Sequence, residues 1–149
     1  MGNPDENVVL IDGDGSFNMT LNDLGTVLEH QLPIKMAIMN DKRQQMVHVW
    51  QRLFFQGRLV ATDNTNPDFG LLAEAYGMKA VRCDHEDHLE EAVKAMMEHP
   101  GPVLADFHTV PDICLPMVAP GKGLDEMHLF GDFEIDDLET VTVTGAAPS

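Results

Sequence analysis

The chain has 149 residues, 44% of them hydrophobic, and its 25 acids against nine Lys and Arg give a formal net charge of -16. That describes one ordinary domain with enough apolar content for a core. Its charge repels phosphate backbones and anionic membranes, so nucleic acid is argued against, and any phosphate ligand needs a cation beside it.

No stretch reads as a membrane span. The start lacks the basic and apolar regions of a signal peptide, and Glu6 stands where a myristoylation signal has Ser or Thr, so the chain reads as soluble. Cys83 and Cys114 form neither a C-x-x-C pair nor a rich framework, which implies reduced thiols and a reducing compartment, with a disulfide only if the fold aligns them.

Strand and helix signals alternate along the chain. "NVVLID", residues 7–12, is a β-branched apolar run of the kind buried in parallel sheets, and Leu21, Leu24, Val27 and Leu28 follow at helical spacing. "LPIKMAIMN", residues 32–40, is a second strand with Pro33 at its entry. A helix is predicted from about Arg43 to Phe55, stopped near Gly57. After an acidic, Asn-rich loop, "NPDFGLLAEAYG" reads as a helix with Pro67 in its first turn and Gly77 past its end. "MKAVRC" is a third strand, "HEDHLEEAVKAMMEH" a third long helix and "GPVLADFHT" a fourth strand. The fold class is therefore α/β, a three-layer α/β/α arrangement with a mainly parallel sheet. Beyond Val110 the chain is punctuated by Pro and Gly, and its end reads as an arm or a disordered tail, with the acidic patch Asp132 to Glu139 solvated.

That architecture gives "LIDGDGSFNMTLNDL", residues 10–24, a meaning. In open parallel sheets ligands sit at the carboxyl ends of strands, where a loop leads into a helix with free backbone N–H groups. Gly13 and Gly15 flank Asp14 there, and together they let the backbone approach a phosphate while Ser16 adds a hydroxyl. Asp14 is suited not to phosphate itself but to Mg²⁺, a hard cation that takes carboxylates plus phosphate oxygens. The alternative is an Asp-Gly hairpin turn, which a second alternating strand should follow, whereas a helical pattern does. Residues 16–39, one helix plus one strand, separate Gly15 from Asn40, so Asn40 and Asp41 also fall at a strand's carboxyl end and two tips can converge on one ion.

Here the chain resembles thiamine diphosphate enzymes, whose motif is GDG, then a helix and a strand, then NN. The resemblance implies metal ligation by Asp14, by Asp41 and by the main-chain carbonyl of Arg43. "MNDKRQQMVHVWQRLFF", "NPDFGLLAEAYGMKAVRC", "GPVLADF" and "CLPMVAPGKGLDEM" narrow it to the C-terminal cofactor-binding domain of the acetolactate synthase large, catalytic subunit. The likeness runs from about Asn7 to Met127, which divides the chain into a cofactor domain, residues 1–127, lacking its usual beginning, and an acidic tail, residues 128–149. It implies thiamine diphosphate and Mg²⁺ as cofactors, with Gly13, Asp14, Gly15, Ser16, Asn40, Asp41, Gln45, Met46 and Val47 around them. Met46 and Val47 would lie by the aminopyrimidine and thiazolium, and Trp50 would line the substrate and inhibitor channel. On bottom-up grounds Met46, Val49, Trp50, Leu53 and Phe54 are equally one apolar helix face, and core packing accounts for each taken singly.

Two departures bear on the site. Asp41 replaces the family's second Asn and adds a carboxylate, which favours bare Mg²⁺ and weakens diphosphate binding. Gln45 stands where the family has Gly and brings a side chain towards the cofactor. The family's FAD-binding domain and the domain supplying the activating glutamate do not fit in this length, so the chain reads as a fragment. The resemblance implies pyruvate and a second 2-keto acid as substrates, in branched-chain amino-acid synthesis, and a cytoplasmic or plastid location. Without the domains that cover it in the family, the helix face holding Met46, Trp50, Leu53 and Phe54 is expected to be open to solvent, which implies a homo-oligomer, or pairing with the missing domains. A non-catalytic binding domain derived from the same fold is the alternative. A transition-metal site in "CDHEDHLEE", residues 83–91, competes with a plain helix start capped by Asp84 or Asp87. His108 and His128 read as satisfied or exposed histidines.

Overall fold

The computed structural model describes residues 6–113 and 115–129, together with the backbone of residues 133–137 and 140–143. Cys114 lies outside the described residues, as do Asp132, Leu138 and Glu139 of the acidic patch, and the rest of that patch is described by its backbone alone. Two compact units are present, Met1–Lys42 with Asn64–Val110, and Arg43–Asp63 with Pro111–Ser149.

The first unit is built on four strands, β1 (Val9–Gly13), β2 (Lys35–Asn40), β3 (Lys79–Cys83) and β4 (Val103–His108), all parallel in the order β1-β2-β4-β3. Side-chain alternation feeds two cores. Met36, Ile38 and Leu104 face one way and pack with Phe17, Leu24, Val27, Phe69, Ala73 and Met78. Ala37, Val81, Cys83, Val103, Ala105 and Phe107 face the other way and pack with Ala92 and Met96. Helices therefore cover both faces: α1 (Asp14–Asn18), α2 (Leu24–Glu29) and α4 (Phe69–Ala75) on the first, α5 (Leu89–Glu98) on the second. The α/β class and the parallel sheet expected from the alternation are what the chain forms.

The first strand departs from expectation. Its apolar run was read as buried, yet Val9, Leu10 and Ile11 are exposed and Ile11 retains 71% of its accessibility. Among the described residues β1 is an edge strand that pairs only with β2, and composition cannot separate edge from centre. Beside it, on the face that carries α5, Val9, Ile11, Ala37, Met39, Met96 and Phe107 help line an open cavity of about 700 Å³.

Helix ends follow local chemistry. α4 starts after Pro67 rather than through it, because the Asp68 carboxylate accepts the Leu71 N–H at 3.0 Å and so caps the first turn. Gly77, at φ 65°, closes the other end as predicted, its N–H reaching the Glu74 carbonyl at 2.9 Å. α5 is preceded by a 3₁₀ turn in which His85, not Asp84 or Asp87, supplies the cap, its Nδ1 accepting the Asp87 N–H at 3.3 Å.

The second unit holds α3 (Gln45–Phe54) and three short antiparallel pairings: the bridge Arg43 to Asp63, β5 (Met117–Val118) with β6 (Met127–His128), and β7 (Phe133–Asp137) with β8 (Thr140–Val143). The helix periodicity places Val49 inward as expected, but the face was read as open to solvent. Instead Trp50, Leu53 and Phe54 are partly buried against Ile113, Leu115 and Met117, so the stretch beyond Val110 covers it. Of the four residues expected on that open face, only Met46 is exposed, at 57%.

Candidate functional site

At the carboxyl end of β1, Asp14 begins α1 and is 1% exposed. Its Oδ2 accepts hydrogen bonds from the side-chain amides of Asn64, at 3.0 Å, and Asn66, at 2.6 Å. The same Asn66 nitrogen donates to Asn40 Oδ1 at 3.0 Å, and Asn66 Oδ1 accepts from Asn18 Nδ2 at 2.8 Å. Asn40, at the end of β2 and 4% exposed, passes the connection on by donating to Asp106 Oδ1 at 2.9 Å. Asp106 Oδ2 meets His108 Nε2 at 3.0 Å, and His108 Nδ1 meets Asp84 Oδ1 at 2.8 Å. One polar chain thus runs across the carboxyl ends of all four strands. At its far end the Arg82 guanidinium beside Asp84 holds that carboxyl below the usual carboxylate range, and Arg82 is itself raised by the hydrogen bond it makes.

Loop geometry supports this convergence. The Asn64 N–H donates to the Lys42 carbonyl at 2.7 Å and the Thr109 N–H to the Asn40 carbonyl at 3.0 Å. Lys42 sits at φ 59°, a left-handed conformation that costs a side-chain-bearing residue about 1–2 kcal/mol and is held where the surroundings over-determine it. Asp41, half-buried, lies between Asn40 and this turn. A cavity of about 390 Å³ opens here, lined in part by Asn40, Lys42, Asn64, Asn66, Asp106 and His108. Next to Asp14, a Cβ added at Gly13 would meet nothing closer than Ser16 Oγ at 3.8 Å, so the approach is open. The Ser16 hydroxyl is engaged with the Asp12 carboxylate and lies 3.2 Å from the Gly13 carbonyl.

The remaining predicted site residues, Arg43, Gln45, Met46, Val47 and Trp50, belong to the second unit. Arg43 Nε pairs with Asp63 at 3.3 Å. The Gln45 side chain turns to the Asp112 carbonyl, donating at 2.6 Å. Met46 and Val47 are exposed, and with Trp50, Gln51, Phe55 and Val60 they line an apolar cavity of about 480 Å³. Trp50 stands edge-on to Phe54, ring centroids 5.3 Å apart. On the buried side of α3, His48 Nε2 accepts from Arg52 Nε at 3.0 Å, which leaves the Nδ1 proton for Thr62 Oγ1 at 3.1 Å.

Sequence reasoning therefore placed Asp14 and Asn40 in one region but missed Asn64, Asn66, Asp106 and His108. Among the described residues no three His, Cys, Asp or Glu side chains gather as a metal cluster, so "CDHEDHLEE" is a strand end and helix start. Cys83 is a free, buried thiol. No helix among the described residues is long and apolar enough to cross a membrane.

Residues 1–107 match the family described as thiamine pyrophosphate enzyme, C-terminal TPP binding domain. The chain belongs to this family. Within it, the TPP-binding domain is similar to the acetolactate synthase large subunit of Porphyra purpurea, 41% identical over 130 residues that make up 85% of this chain and 22% of the relative. It is likewise 41% identical to the mitochondrial acetolactate synthase catalytic subunit of Saccharomyces cerevisiae, over 92% of this chain and 20% of the relative. The large subunit of acetolactate synthase isozyme 2 from Escherichia coli is 41% identical over 83% of this chain and 23% of its own length. The chain therefore spans about a fifth of these relatives, and what it shares with them is the TPP-binding domain.

Proposed function

We propose that the chain is the cofactor-binding part of an acetolactate synthase, holding thiamine diphosphate through Mg²⁺ at the carboxyl ends of β1 and β2. The observation that carries this reading is Asp14: a carboxylate 1% exposed, bonded by two neutral amides and by no Lys, Arg or His among the described residues. Buried charges are normally paired or coordinate a metal. Asp14 Oδ1 accepts no hydrogen bond from the described residues. The oxygen left open is a carboxylate oxygen, and no thiolate or imidazole bonds to Asp14 among the described residues, which suits a hard cation. Asp14 and Asp41 would hold the ion, while Gly13, Gly15, Ser16 and Asn40 shape the space beside it. When bound, thiamine diphosphate supplies the electron sink for decarboxylating pyruvate and joining its two-carbon unit to a second 2-keto acid. The chain's own share is to fix the ion and offset the diphosphate charge, which a net charge of -16 makes necessary.

Calorimetric titration with thiamine diphosphate tests the reading. Saturable binding that requires Mg²⁺ is expected, and Asp14→Ala should weaken it by more than the roughly 10–100-fold typical of an outer-shell change. Mg²⁺-independent binding, or an unaltered Asp14→Ala titration, would remove the site. No binding at all would favour a non-catalytic domain derived from the same fold.

Acetolactate formation is proposed for the assembly that completes this chain, by pairing with further domains or with a second copy. Given its span of about a fifth of its relatives, the purified chain supplied with pyruvate, Mg²⁺ and thiamine diphosphate is expected to yield no acetolactate in a colorimetric assay.

A further inference from the structure

We propose that Asn66 positions Asp14 for its cation, a role that rests on the reading of the site above. Asn66 lies outside the GDG stretch and outside the β2 tip, in the loop leading to α4. Both ends of its amide are engaged: Nδ2 with Asp14 Oδ2 and Asn40 Oδ1, Oδ1 with Asn18 Nδ2.

The direction of these bonds is fixed by the carboxylates at either end. The Asn66 nitrogen donates to Asp14 Oδ2, and the Asn66 oxygen therefore faces Asn18. The Asn40 nitrogen donates to Asp106 Oδ1 at 2.9 Å, and the Asn40 oxygen therefore faces Asn66. Both ends demand the same orientation of Asn66, and no rotation of its amide by half a turn satisfies them.

The consequence for Asp14 is an asymmetry between its two oxygens. Oδ2 is held by Asn66 at 2.6 Å and Asn64 at 3.0 Å, while Oδ1 takes no hydrogen bond from the described residues. One oxygen is clamped and the other is left to a cation. The clamp is neutral. A Lys or Arg in place of Asn66 would hold the carboxylate equally well but would oppose the cation at close range, whereas an amide orients without cancelling the charge that attracts the ion. The loop supporting the clamp is tied by the Asn64 N–H to the Lys42 carbonyl at 2.7 Å and by the Asp68 cap on α4.

The test uses Mn²⁺ as a spectroscopic stand-in for Mg²⁺ on the full chain. Asn66→Leu keeps most of the side-chain volume and deletes the donor, so a role in packing alone predicts wild-type behaviour. The positioning role predicts Mn²⁺ affinity about 10–100-fold weaker, an altered electron paramagnetic resonance line shape, and an Asp14 side chain in a different rotamer in a crystal structure of the metal-free variant. Asn18→Ala is the second variant: it strips only the bond to the Asn66 oxygen, which helps to hold the amide in place, and the affinity loss should be smaller but in the same direction. Wild-type Mn²⁺ binding by Asn66→Leu with Asp14 unmoved would overturn the proposal, as would unchanged binding by Asn18→Ala if the first variant does not fold. If the unsubstituted chain binds neither Mn²⁺ nor Mg²⁺, the reading of the site falls, and the Asp14 rotamer in the metal-free variant still decides whether Asn66 positions it.

Discussion

Phe69→Ala is expected to cost the first unit about 3–5 kcal/mol, the range for removing an enclosed aromatic ring. Phe69 is the first residue of α4 and 1% exposed. Its ring meets Phe17 edge-on, centroids 5.8 Å apart, and packs within the cluster holding Leu24, Ile38, Leu104 and Met78. The substitution thus leaves a cavity where α1, α4 and the two central strands come together. Urea denaturation should show a lowered midpoint with little change in slope. Leu71→Ala on the same helix is the control, because Leu71 is 64% exposed and should move stability by less than about 0.5 kcal/mol. Equal midpoints for the two variants would mean that this core is not assembled as described.

A comparable effect is expected at Lys35, at the opposite end of the sheet from the candidate site. Lys35 is 1% exposed, and its ammonium donates to the carbonyls of His99 and Gly101, the latter at 2.6 Å. Lys35→Met keeps the aliphatic stem and strands both carbonyls, which at about 1–3 kcal/mol for each orphaned group gives a loss of roughly 2–6 kcal/mol. The pH dependence has a definite sign. Burial pushes the Lys35 ammonium below its usual value of 10.5. Between that lowered value and 10.5 the unfolded chain binds more protons than the folded one, so folding becomes more favourable as pH rises. The burial penalty is present in full below the folded value and is relieved towards 10.5. The stability gap between the natural chain and Lys35→Met should therefore widen on going from neutral to alkaline pH. A constant gap would show that the ammonium is not buried.

Which features were legible in the sequence follows from the range of the interactions that make them. β2 and β4 are central strands, and their continuous apolar runs declare them. α3 and α5 show their periodicity, and Gly77 stops α4 by a local rule. The short range of capping also explains a small error: Asp68 captures the Leu71 N–H, so Pro67 precedes the helix rather than starting it. At the site, Asp14 and Asn40 were legible because strand tips in a parallel sheet must lie on one side. Asn64 and Asn66 were not, because "TDNTNPD" carries no signal beyond an acidic, Asn-rich loop until it folds across β1 and β2. Two Asn alternating just before a capped helix start was the only available cue. The covering of Trp50 and Phe54 by Ile113, Leu115 and Met117 was equally hidden, since it joins segments far apart in the chain.

The strand order β1-β2-β4-β3 has a consequence for synthesis. Among the described residues β3 pairs only with β4, and the inner side of β2 also pairs with β4, through registers such as Lys35 with Val103 and Asn40 with His108. A nascent chain leaving the ribosome can zip β1 to β2 early. The next strand to emerge then has no partner, and the centre of the sheet stays open until residues 103–108 arrive. During that interval Met36, Ile38 and Val81 are presented on unpaired edges, the state in which growing chains most readily capture one another. Because closure spans 62 residues between Asn40 and Val103, the last step is a long-range one and intrinsically slow. The net charge of -16 sets a repulsion between unfinished copies against that capture.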